Sequence, residues 1–88
     1  MTEFRYRRAV LDELLGHGVE PRESTAPCLV RGHLNDLYTF ELRKLRRELV
    51  AAEAREGRKL RRAYSERVSA LRGRYQLLSR PTETWLES

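Results

Sequence analysis

Apolar residues recur along the chain in three stripes of helical period. Phe4, Leu11 and Leu15 share one helical face, widened by Val10 and Leu14, and this spacing predicts a first helix over 3–15. Gly16-His17-Gly18 then supplies glycine where a helix end needs a left-handed residue, with Val19 placed to fold back on the last turn. The connector VEPRESTAP follows. Pro21 and Pro27 break helices, and Ser24 or Thr25 is placed to cap the next helix with Pro27 in its first turn.

The second stripe is the longest. At 100° per residue Val30, Leu34, Leu37, Tyr38, Leu42, Leu45, Leu49 and Ala52 lie within about 140°, which predicts a helix over 27–55 about 40 Å long. A weaker patch of Leu29, His33 and Phe40 lies on another side of it and offers the first helix a seat. The third stripe, Leu60, Tyr64, Val68, Leu71, Tyr75 and Leu78, predicts a helix over 59–78. If one helix ran unbroken through Gly57, the third stripe would lie about 100° ahead of the second, whereas a left-handed coiled coil drifts about 20° per heptad the other way. The mismatch predicts a turn at 56–58.

Folding the chain at that turn sets the two stripes against each other in reverse order. Tyr38 then faces Leu78, Leu45 faces Leu71, and Ala52 faces Tyr64. At the edge of the seam Glu41 meets Arg74 and Glu48 meets Arg67, ion pairs suited to setting register as flanking charges do in coiled coils. Beyond Pro81 the helical rhythm stops, and Trp85-Leu86 either docks on the bundle or serves as a hook for a partner. The expected fold is therefore all-α: a short N-terminal helix packed on a long antiparallel helical hairpin, one domain over 1–80 with a tail over 81–88. A second copy would extend it into a larger bundle.

Length sharpens this picture. A chain of 88 residues buries only about 60–65% of the surface its unfolded form exposes, so its core is thin and a partner would help to complete it. The lone Cys28 excludes an internal disulfide and reads as a small buried thiol. No apolar run approaches the ~20 residues of a membrane span, and the N-terminus lacks the apolar core of a secretory signal. These features lead us to expect a cytoplasmic protein with no membrane contact. His17 stands apart from any Cys, His or carboxylate at ligand spacing, so neither a metal nor a cofactor is expected.

The charge is uneven. Residues 43–74 hold twelve Lys/Arg against four Asp/Glu, a net of +8, while the rest of the chain holds six against nine, a net of −3. Sixteen of the eighteen basic residues are Arg, whose planar fork suits carboxylates and phosphates. An enzymatic reading would place a general acid or base at Glu41 beside Tyr38 and Tyr75, but that chemistry needs a concave site, which a thin bundle scarcely offers.

The preferred expectation is a non-enzymatic protein-interaction module. It would act as a homodimer or as an accessory subunit, docking by helix faces through Leu34, Leu37, Tyr38, Leu45, Leu49, Tyr64, Leu71, Tyr75 and Trp85. The alternative is a basic nucleic-acid-binding regulator using residues 43–62, with Arg43, Arg46, Arg47, Arg58, Lys59, Arg61 and Arg62 as phosphate contacts. Against it, no base-stacking aromatic is interleaved with the cations in sequence, since Tyr64 and Tyr75 belong to the apolar stripe.

Overall fold

A computed structural model describes residues 3–87. The fold is all-α, with helices α1 (Arg8–Gly16), α2 (Pro27–Glu56) and α3 (Arg61–Arg74), then short 3-10 helices at Gln76–Ser79 and Thr82–Trp85. The β structure among the described residues is a single antiparallel bridge between Tyr6 and Leu86. The chain forms two compact units. One takes in the chain up to Asn35 and returns at Leu77, and the other is Asp36–Gln76. Helix α2 contributes its first turns to one unit and the remainder to the other.

In the first unit, α1 starts at Arg8 rather than residue 3, because residues before it are held in extended pairing. The Phe4 amide donates to the Glu23 carbonyl at 2.8 Å, and the Arg7 amide donates to the Trp85 carbonyl at 2.8 Å. The Glu87 amide donates in turn to the Arg5 carbonyl at 2.7 Å, and the Tyr6 hydroxyl donates to the Thr25 carbonyl. The segment is thus gripped from the connector on one side and the tail on the other, and its backbone groups are satisfied without a helix. Tyr6 is buried as a result, together with Val10, Leu14, Val19, Val30, Leu34, Leu77 and Trp85.

The shorter helix also shifts the buried face. Val10 and Leu14 go inside while Leu15 is exposed, and Phe4 and Leu11 are half-buried. At its end the Val19 amide donates to the Leu14 carbonyl and the Gly18 amide to the Leu15 carbonyl, both at 2.9 Å. With Gly18 at φ +76°, this is the two-bond glycine cap that the Gly16-His17-Gly18-Val19 pattern implied. Helix α2 begins at Pro27 without a side-chain cap from Thr25, whose hydroxyl instead accepts from the Arg22 amide at 3.1 Å. Leu29 and His33 remain exposed, so the first helix does not cover the patch expected to seat it.

The second unit contains the turn. Gly57 still donates its amide to the Glu53 carbonyl at 2.8 Å, but its φ of +66° carries the chain out of α2 in a conformation that residues with a Cβ avoid. Helix α3 starts at Arg61 rather than 59, since Leu60 at its N-cap offers no side-chain acceptor. It ends at Arg74 rather than 78. The Tyr75 amide is shared between the Leu71 and Arg72 carbonyls at 3.2 Å each, and the chain tightens into the 3-10 helix Gln76–Ser79. That change of pitch buries Leu77, which lies outside the predicted stripe, and leaves Leu78 half-buried.

Candidate functional site

Within Asp36–Gln76 the apolar stripes of α2 and α3 supply the core. Leu45, Leu71 and Tyr75 are buried, and Leu37, Tyr38, Leu49 and Tyr64 are half-buried. The rings of Tyr38 and Tyr75 meet at a centroid distance of 5.3 Å and an angle of 56°, a tilted geometry favourable for aromatic pairs. Beside this seam lies a groove of about 310 Å³ lined by Glu41, Lys44, Glu48, Arg67 and Arg74 with Leu45, Ala70 and Leu71 beneath. Arg67 Nη2 donates to Glu48 Oε2 at 2.8 Å, and Arg74 Nη2 lies 3.7 Å from Glu41 Oε1. Glu41 Oε2 is buried with no partner in hydrogen-bond geometry.

The Tyr75 phenol beside it is pushed up to about 12, first by burial and then by hydrogen bonding to, and the negative charge of, Glu41, with Arg74 pulling the other way. A phenol in that state keeps its proton at neutral pH and makes a poor base or nucleophile. Both carboxylates are held by arginines across the groove. The groove thus sets two carboxylate–guanidinium pairs side by side.

Of the nine residues expected to meet a partner none is exposed, and Leu37, Tyr38, Leu49 and Tyr64 are half-buried. Leu34, Leu45, Leu71, Tyr75 and Trp85 are buried within the chain, Trp85 at 0% exposure, and a partner would reach them only by opening the fold. Trp85 in particular is held in the tail's 3-10 helix, where the Arg7 guanidinium Nε donates to the Thr84 carbonyl at 3.0 Å. Arg31 Nη2 similarly donates to the Leu78 carbonyl at 2.9 Å. These contacts make the last turns of the chain part of the first unit's core rather than a free hook.

The basic residues are all exposed: Arg43, Arg46, Arg47, Arg58, Lys59, Arg61 and Arg62. Three of them face carboxylates, as Arg58 pairs with Glu56 at 3.2 Å, Lys59 with Glu53 at 3.6 Å and Arg62 with Glu66 at 3.8 Å. The five glutamates of Asp36–Gln76 are thereby each matched to one cation, leaving Asp36 as the remaining acid of that unit. Seven of its twelve cations have no such match among the described residues: Arg43, Lys44, Arg46, Arg47, Arg55, Arg61 and Arg72.

Two large apolar residues stand exposed among them. Phe40 is 61% and Val50 64% exposed. At 100° per residue Phe40, Arg43, Arg47, Val50 and Ala54 fall within an arc of about 80° centred opposite Leu45. Their spacing alternates three and four residues, a second helical row of its own. In sequence Phe40 falls with Leu29 and His33 in the patch expected to seat the first helix, and Val50 belongs to none of the three stripes. The alternation was visible, but the larger stripe on the opposite face dominated the periodicity.

Among the described residues no group of three or more His, Cys, Asp and Glu side chains is placed to hold a metal ion, and no helix is long and apolar enough to cross a membrane. Compared with known protein families, curated proteins and solved structures, the chain matches none.

Proposed function

We propose that this protein is a non-enzymatic helical interaction module, an accessory subunit that docks a partner on the outer face of α2. In this reading α2 and α3 form an antiparallel hairpin whose apolar stripes serve as its own core. The paired Glu41–Arg74 and Glu48–Arg67 set the register of that hairpin. The docking surface is the row of Phe40, Arg43, Arg47 and Val50. One observation carries the reading: large apolar side chains stand exposed among cations that have no carboxylate of their own. Aromatic residues and arginines are the side chains that most often anchor protein interfaces.

The same cations favour a second reading, a nucleic-acid grip. Phe40 supplies the exposed aromatic that the sequence did not reveal, flanked by Arg43, Lys44 and Arg47. Phosphate contacts of this kind would make affinity fall steeply with salt, with a slope of about −0.9 per contact on duplex DNA.

Site-specific photocrosslinking separates the two. A photoreactive side chain at position 40 or 50 should join the protein to a second polypeptide in its own cell, whereas one at Ser65 or Ser69, exposed on α3, should not. Arg43→Glu with Arg47→Glu should abolish the crosslink while leaving the helical content unchanged. Crosslinks to nucleic acid alone would instead establish the second reading.

A further inference from the structure

The docking face constrains its occupant through its charge. Asp36–Gln76 carries twelve Lys/Arg against six Asp/Glu, a net of +6, and the remainder of the chain carries six against seven, a net of −1. Since each glutamate of the basic unit is already matched to a cation, a second copy of this face would set arginine against arginine, and the remainder, whose exposed carboxylates such as Asp12, Glu20 and Glu23 are offset by six arginines, exerts little net attraction on it. Like charges brought together across an interface are strongly disfavoured. The best complement to this face is therefore an acidic surface, and not a second copy of the face itself.

Its shape constrains the occupant further. Phe40 and Val50 stand about 15 Å apart along the helix, joined by a row that alternates three and four residues and ends at the exposed Ala54, with the exposed Ala51 at its edge. This is the spacing of a coiled-coil seam. The small residues at its end let another helix approach within the 8–10 Å typical of packed helices. A nucleic acid would use Phe40 for stacking but would gain little from Val50, Ala51 and Ala54. An apolar helical row gains from burying all four. Arg43 and Arg47 sit within the row, where their planar forks can grip carboxylates in pairs.

We infer that the outer face of α2 binds an acidic amphipathic helix of a different protein, with that helix's apolar side chains on Phe40 and Val50 and its carboxylates on Arg43 and Arg47. The inference rests on the reading of this face as a protein-docking surface and names the chemistry of the partner.

Fluorescence anisotropy with synthetic helical peptides tests it at about 0.15 M salt, where long-range attraction is largely screened. Three peptides share one apolar row and differ in flanking residues, which are Glu, Gln or Lys. A fourth contains the Glu peptide's residues in scrambled order, and a mixed-sequence DNA duplex is the fifth probe. The Glu peptide should bind about 10-fold or more tightly than the Gln peptide, and the Lys peptide should not bind. Arg43→Glu with Arg47→Glu should invert the order in favour of the Lys peptide, an outcome that also shows the variant is folded. Equal binding of the Glu and Gln peptides would overturn the acidic partner while leaving protein docking standing. Equal binding of ordered and scrambled Glu peptides, or binding of DNA alone, would overturn both. Binding of no probe would overturn the inference.

Discussion

Trp85 shows how far a single side chain departs from its sequence context. Its neighbours Thr82, Glu83, Thr84 and Glu87 are polar, so nothing local decides whether the indole is inside or outside. The structure buries it completely because the tail pairs with residues about eighty positions earlier, through Arg7–Trp85 and Arg5–Glu87 backbone bonds. Periodicity has no access to such long-range pairing, which is also why Tyr6 was not seen as core. Trp85→Ala should cost about 3–5 kcal/mol in denaturant unfolding, the usual range for deleting a buried aromatic. The fluorescence of the intact protein should be blue-shifted and shielded from quenchers; red, quenchable emission would place the tail in solvent. Tyr75 gives a second residue-scale test. Folding holds its phenol near 12 rather than 10, so between those pH values the unfolded chain has lost a proton that the folded protein keeps. Stability contributed by this group is present below pH 10 and is lost as pH rises toward 12. Tyr75→Phe should make that decline shallower in urea midpoints measured across the window, with Tyr6, whose burial also raises its phenol, accounting for part of the slope that remains.

At the scale of elements, α2 was nearly fully legible. Its expected span of 27–55 is one residue short of Pro27–Glu56, because a proline, a long apolar stripe and a glycine stop agree with one another. The glycine cap after α1 and the break at Gly57 were legible for the same reason: glycine at a helix end has one main structural use. The ends of α3 and the start of α1 were not, since weak caps and tertiary pairing set them. Gly57→Ala should cost about 1–2 kcal/mol, the penalty for placing a Cβ in the left-handed region, and thermal unfolding would measure it. The Glu48–Arg67 pair is short but substantially exposed, at 44% and 59% for the two side chains, so a double-mutant cycle should return no more than about 1 kcal/mol. Spin labels at the exposed positions 44 and 72 should report one short intramolecular distance if α2 and α3 run as a hairpin. A continuous rod would hold them about 42 Å apart.

For the molecule as a whole, the consequence of folding is a reassignment of surfaces. The long apolar stripe looked in sequence like a place for a partner, yet Leu45, Leu71 and Tyr75 are buried within Asp36–Gln76. Pairing every glutamate of that unit leaves a net positive exterior, and Phe40 and Val50 are exposed within it. The charge asymmetry was plain from composition, but which cations remain uncompensated depends on side-chain pairing that only the folded chain sets. In the proposed function one face of α2 is structural and the opposite face is free to bind. Denaturant unfolding of Leu45→Asp and Phe40→Asp compares the two faces directly. Leu45→Asp should lose about 3–5 kcal/mol or fail to fold, because an unpaired charge enters the core. Phe40→Asp should stay within about 0.5 kcal/mol of the parent, as surface substitutions do. A Leu45→Asp protein as stable as the parent, or a Phe40→Asp protein that unfolds, would contradict the claim.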